Sequence, residues 1–253
     1  MKKFVSIFLS FCVCFSMVGI SVYAEEPNLI DDFLIDHGMP LSVVNALSDG
    51  QKELMYSTLE DDAQFVSYTE EGYDLLDNEN TAQPFHLIDE SDLTVTVVGF
   101  RITVNGDPMC SIYPSFVWNK RVTPYNDQFS MNLYPGWVAV PGERNLRFYI
   151  KNLNNEVANY VDLDPIQSGS GGYTYAMPTT TAHAQTYYEG HAYLRAVDTT
   201  GYSVPAISLG YVHDNAPALG LSFSVAWDSV GLTIIDNRST LDYFSDNFYF
   251  LDE

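Results

Sequence analysis

Residues 219–236 read Leu-Gly-Leu-Ser-Phe-Ser-Val-Ala-Trp-Asp-Ser-Val-Gly-Leu-Thr-Ile-Ile-Asp. Leu219, Leu221, Phe223, Val225 and Trp227 fall on one parity, and Gly220, Ser222, Ser224 and Ala226 fall on the other. That two-residue period is the signature of a strand with one buried face. The break over 228–231, followed by Leu232 to Ile235, predicts an antiparallel return with Gly231 available for a positive φ. Burying five large side chains at ~1.5–3 kcal/mol each is worth on the order of 10 kcal/mol before entropy is subtracted, so a second layer has to cover this hairpin. Its small-residue parity permits close approach. It is expected either to lie under the N-terminal helices or to line a lumen, should the hairpin insert into a membrane.

Working outward, the chain from Asp92 onward keeps the strand period. Leu93, Val95 and Val97 share one parity while Val98, Phe100, Ile102 and Val104 share the other, which predicts a bulge near Gly99. Asn105-Gly106 is the strongest hairpin turn in the sequence, returning through Cys110 to Trp118 with Pro114 marking an edge or a kink. Trp137 to Val140, a turn over 141–145, and then Leu146, Phe148 and Ile150 predict another pair of strands. The glycine-rich interval 165–181 reads as a mobile surface loop. Asn247 to Leu251 reads as a last strand whose terminal acids discourage edge pairing. Together these predict a mainly β fold, an antiparallel β-sandwich over 92–253.

The N-terminus carries an address. Met1-Lys2-Lys3, an apolar run from Phe4 to Val22 and the ending Val22-Tyr23-Ala24 predict a secretory signal peptide over 1–24, cleaved after Ala24. A membrane anchor would need ~20 apolar residues, and this run is interrupted by serines. Cys12 follows Phe11 and Cys14 follows Val13, a context unlike that of a lipidated cysteine. Cleavage would leave Cys110 as the last of three cysteines, so no intrachain disulfide is available and packing alone must hold the domain. That economy is expected of a single-membrane bacterium. Cys110, within Met109-Cys110-Ser111-Ile112, is expected in the core.

Between leader and sandwich, residues 25–60 predict short helices. Asn28 is a candidate N-cap for the segment bearing Leu29, Ile30, Phe33 and Leu34, with Gly38 as its stop. Pro40 opens a second helical turn, and Ser48 with Gln51 has the form of a capping box for a third. Such short helices cannot bury themselves, so they must dock on the β part or on another protein. Residues 61–91 read as an acidic connector. Residues 25–91 hold 17 acids and one base, against 16 acids and 8 bases in 92–253. The acidic interval is read as solvated, with a site for calcium or a basic partner as the functional alternative.

Two short resemblances add to this. The string Leu34-Ile35-Asp36-His37-Gly38-Met39-Pro40, followed by Leu47-Ser48-Asp49-Gly50-Gln51-Lys52, resembles the helical preface of uncharacterised exported Gram-positive proteins and implies no activity. Residues 192–203, Ala-Tyr-Leu-Arg-Ala-Val-Asp-Thr-Thr-Gly-Tyr-Ser, resemble the strand-turn-strand of immunoglobulin-like and fibronectin type III-like bacterial modules. That resemblance implies a sandwich and carries over no binding residue.

Charge narrows the partners. Loss of Lys2 and Lys3 with the leader leaves 9 basic residues against 33 acidic, a formal charge of −24. Nucleic acid is thereby excluded, and an anionic bilayer or cell wall is repelled. The expected location is free solution outside the cell. No apolar segment or basic tail occurs late in the sequence, so retention at the envelope would need a partner.

Nucleophile-elbow, zincin, CxxC, Walker and Rossmann signatures are missing. His183, Glu189 and His191 are candidate metal ligands or an acid–base set, with His213-Asp214 as a weaker addition. Asp162 and Asp164, near Asn159, place two carboxylates on one face of an extended segment and suit calcium, the one cofactor suggested. Tyr173, Tyr175, Tyr187 and Tyr188, with Tyr193 and Tyr202 close by, suggest an aromatic platform for a sugar or a protein surface. The expected function is therefore a secreted, non-catalytic binding protein for a glycan or protein. A hydrolase using a carboxylate pair is the first alternative, and a pore-forming or antibacterial protein the second.

Overall fold

The computed structural model describes residues 28–72, 85–88, 91–123, 127–178, 186–201, 206–214, 221–226, 229–234 and 241–250. The expected leader with Ala24 lies outside these residues, as do His183, Tyr202, Leu219 and Trp227.

Three helices open the chain: α1 Leu29–Asp36, α2 Leu41–Ala46 and α3 Asp49–Thr58. Their caps are the ones the sequence announces. Asn28 Oδ1 accepts the Ile30 N–H at 3.3 Å, Pro40 is the N-cap of α2, and Ser48 Oγ accepts the Gln51 N–H at 3.3 Å. The capping box is only half made, because the Gln51 amide donates instead to Thr96 Oγ1 at 2.7 Å and ties α3 to the sheet beneath.

The strands are β1 Gln64–Gly72, β2 Phe85–Leu87, β3 Leu93–Val104, β4 Asp107–Trp118, β5 Gln128–Leu133, β6 Trp137–Lys151, β7 Val157–Leu163, β8 Gln167–Gly169, β9 Gly172–Ala176, β10 Tyr188–Asp198, β11 Ala206–Asp214, β12 Leu221–Ala226, β13 Ser229–Ile234 and β14 Leu241–Tyr249. One six-stranded sheet has the order β1-β3-β4-β10-β6-β7, and a second has β2-β14-β11-β5-β9-β8. All neighbours are antiparallel except β2 and β14. The fold is a β-sandwich with a short helical N-terminal layer.

Two cores result. Leu93, Val95, Ile112, Phe116 and Phe148 of the first sheet meet Phe129, Met131, Tyr175, Leu209 and Tyr211 of the second. On the outer face of the first sheet, Val98, Phe100 and Ile102 of β3, with Tyr113 and Tyr193, receive Leu34, Val44, Leu54 and Met55 of the helices. The helices therefore dock on the β part. They cover the first sheet.

Several local readings change. β3 pairs with β4 in one unbroken register through Gly99, so there is no bulge in β3. Its parity switch has another cause: one face serves the inter-sheet core and the other the helix layer. A Cβ on Gly99 would lie 2.6 Å from the Phe250 ring, so the glycine makes room for that ring. The bulge sits opposite, in β1, between Phe65 and Ser67. Asn105 and Gly106 do form the two-residue turn, both with positive φ (55° and 90°). Pro114 is buried in a central strand, where the partners of β4 along β10 are interrupted between Ser115 and Ile112. The missing N–H is accommodated by that gap instead of by an edge.

The expected turn over 141–145 is a bulge inside the single strand β6. β10 pairs with Arg144 and then resumes at Ala139, with Gly142 at φ +84°. The expected mobile loop over 165–181 contains the hairpin β8–β9. The strand at the start of 192–203 is the second half of β10, and the strand that follows, β11, belongs to the other sheet. The last strand starts earlier than expected, at Leu241, and is flanked by β2. The acidic interval 61–91 contributes β1 to one sheet and β2 to the other. Within the 219–236 stretch β12 and β13 pair as an antiparallel ribbon, and β12 runs beside β5 and β11. Gly231 is a strand residue opposite Ser224.

Candidate functional site

Of the four expected platform tyrosines, three belong to the interior. Tyr173, Tyr175 and Tyr188 are 5%, 0% and 1% exposed and line the inter-sheet core, with Tyr188 stacked on Phe148 at 5.3 Å. Burial pushes the Tyr175 hydroxyl above its ordinary range. Tyr187 is half-buried, with the Arg121 guanidinium 5.8 Å from its ring. The four do not form one exposed surface. Strand parity placed Tyr173 and Tyr175 inward as soon as the loop became β9.

Asp162 of the expected calcium pair is held by Arg147, whose Nε and Nη2 donate to its two oxygens at 2.7 and 3.1 Å. The bonds from Arg147 keep the Asp162 carboxyl below its ordinary range. Asp164 is exposed beyond the end of β7. Among the described residues no three His, Cys, Asp or Glu side chains gather as metal ligands. The acidic interval does line a cleft of about 580 Å³, with Asp36, His37, Asp61 and Asp62 at its walls. His37 lies between two carbonyls, Phe33 O at 2.7 Å and Glu60 O at 3.2 Å.

Glu189 and His191 do project to one side of β10, and that side is covered. Glu189 is 2% and His191 0% exposed beneath the start of α3. Lys151 Nζ lies 2.6 Å from Glu189 Oε2, and His191 Nε2 lies 3.4 Å from Glu189 Oε1 and 3.1 Å from Ser48 Oγ. Burial alone would raise the Glu189 carboxyl. The hydrogen bonds and charges of His191 and Lys151 outweigh it and hold the carboxyl below its ordinary range. Serine, histidine and glutamate in mutual reach are the residue types of a nucleophilic triad. A relay needs nucleophile and acid on opposite ring nitrogens, and here both approach Nε2. The cluster is an anchor between helix and sheet.

A second buried network was not legible. Asp127, fully buried, accepts from the Tyr211 hydroxyl at 2.7 Å and lies 2.9 Å from His213 Nδ1, while Trp118 Nε1 donates to Tyr211 at 3.1 Å. Asp127 stands in a polar stretch before β5, and nothing in its neighbours marks it as interior.

The exposed chemistry lies elsewhere, on β7. Six of its seven residues are exposed, and it is the outermost strand of its sheet. Ten large apolar side chains are exposed among the described residues; three of them, Val157, Tyr160 and Val161, lie on β7, and Leu153 and Ile166 flank it. The Arg147 guanidinium lies 4.6 Å from the Tyr160 ring, inside cation–π reach. Outer strands usually carry a safeguard against pairing. β2 and β8 are three residues long, and β1 is bulged and carries Glu70 and Glu71. β7 is bulged only at its start, leaving Asn159 to Leu163 regular, and its one charge is already paired.

No family model and no curated protein sequence matches the chain. Solved structures similar to it include the collagen-binding subdomain of the Enterococcus faecalis surface protein ACE (9% identity, 54% of this chain and 86% of that one, TM-score 0.31). They also include the collagen-binding domain of a Staphylococcus aureus adhesin (6%, 72% and 96%, 0.30) and Clostridium perfringens delta-toxin (7%, 74% and 93%, 0.34). At these scores the likeness carries no inference about ligand or activity. Among the described residues no helix is long and apolar enough to cross a membrane.

Proposed function

We propose that this chain is an exported, non-catalytic binding protein whose recognition surface is the β7 edge. The observation that carries this reading is the exposure of Val157, Tyr160 and Val161 on an outer strand whose pairing is regular from Asn159 to Leu163 and whose one charge is already paired. Such an edge offers a row of main-chain donors and acceptors to an added strand, with side chains on both faces to select it. Tyr160, exposed on this strand, takes over the role first expected of a four-tyrosine platform. A protein strand, more than a glycan, suits a surface whose polarity is mostly main chain.

The test is capture by the exported chain on arrays of cell-surface proteins and glycans, comparing wild type with Val161→Lys. Loss of protein capture in the variant is expected. Capture that survives the substitution unchanged would refute the reading.

A further inference from the structure

We infer that the strand added to β7 is β7 of a second copy, in antiparallel register centred on Val161. This rests on the reading of β7 as a strand-accepting edge. The regular part of the strand, Asn159 to Leu163, has Val161 at its middle, and a two-fold axis there makes the surface self-complementary. Val161 then meets Val161, Asn159 meets Leu163, and Tyr160 meets Asp162. That last pairing sets the carboxylate of one copy beside the ring over which Arg147 of the other lies at 4.6 Å. Each Arg147 is thus placed near two carboxylates, its own at 2.7 Å and its neighbour's. The edge carries no like charges in opposition.

Charge along the chain points the same way. From Glu143 to Asp164 there are three basic residues and four acidic ones, near balance in a protein whose formal charge is −22. Two strongly acidic bodies repel over most of their surfaces. Here they can approach. A cationic ligand would be drawn to the acidic remainder of the molecule, not to this locally balanced edge.

The tests are sedimentation velocity of the exported chain at rising sodium chloride and mild oxidation of variants that each carry one introduced cysteine. Self-association is expected to strengthen as salt screens the repulsion between copies, whereas capture of a cationic strand would weaken. Val161→Cys is expected to give a crosslinked dimer, since directly opposed Cα atoms ~4.5–5.5 Å apart fall within disulfide reach. Asn159→Cys is expected not to crosslink, and Cys110 is buried and serves as the internal control. Val161→Lys should leave a folded monomer by setting like charges face to face. A monomer at every salt concentration with no crosslink at 161 overturns the inference, as does crosslinking at 159 with none at 161. If the chain is monomeric while Val161→Lys still abolishes capture on the array, the self-pairing falls and the edge reading stands. If capture and self-association are both indifferent to Val161→Lys, both fall.

Discussion

The two faces of the first sheet are covered in different ways. Toward the second sheet the contact is mainly apolar, with Phe116 packed on Phe129 and Tyr211 at centroid distances of 5.1 and 4.7 Å, and the Trp118 Nε1 bond to the Tyr211 hydroxyl crosses it at 3.1 Å. Toward the helices the apolar contact is smaller and is punctuated by polar anchors: Gln51 to Thr96, Ser48 to His191, Thr58 to Tyr113, and Glu60 to Arg195. The reason lies in helix length. Helices of 8, 6 and 10 residues present only a turn or two of apolar stripe each, so specific polar links fix where they sit. A sheet is sealed by area, and short helices are fixed by address.

This contrast can be broken by substitution. Phe116→Ala should cost about 3–5 kcal/mol of global stability, read from the urea midpoint by circular dichroism. A loss below about 1 kcal/mol would mean that the inter-sheet core is not what holds the domain. Glu189→Ala leaves the Lys151 ammonium, 12% exposed, without its partner. It should cost toward the lower end of ~3–5 kcal/mol.

The Glu189 anchor also has a sign in pH. Its carboxyl is held below the ordinary range in the folded chain, so its stabilisation is present above the unfolded value of ~4.3 and disappears as pH falls through the lowered folded value. The wild-type midpoint should fall through that acid window more steeply than that of Glu189→Gln, which has no proton to take up. Equal slopes would show that the anchor contributes nothing.

Smaller effects sharpen the comparison. Ser48→Ala removes the α3 cap and one contact to His191, and should cost about 1 kcal/mol. Faster amide exchange should appear in α3 first, with the inter-sheet core unchanged. Val161→Lys, on the exposed edge, should shift stability by no more than about 0.5 kcal/mol, so any loss of capture it causes reports on recognition and not on folding.

Much of the fold was legible locally. The caps at Asn28 and Ser48, the Asn105-Gly106 turn and the period of β3 all depend on neighbours within a few residues. The misreadings share a cause. Pro141-Gly142 looks like a turn because its composition is that of a turn, but β10 runs past it on both sides and makes it a bulge. Gly99 looked like the site of a bulge because sequence parity cannot distinguish one buried face that changes side from two faces buried by different layers. Tyr173 and Tyr175 looked exposed because glycines and serines precede them, and pairing with β5 turned them inward. The candidate site was least legible, since nothing within Val157 to Leu163 says that no described strand lies beyond it.

The order of residues alone settled that this chain builds mainly paired strands with a helical preface, because alternation, turn dipeptides and caps are short-range chemistry. Which strands become neighbours, which sheet face receives the helices, where Asp127 finds Tyr211 and His213, and which edge is left uncovered were decided only on folding. Those outcomes depend on contacts between residues far apart in the chain, such as Ser48 with His191, and no local pattern records them.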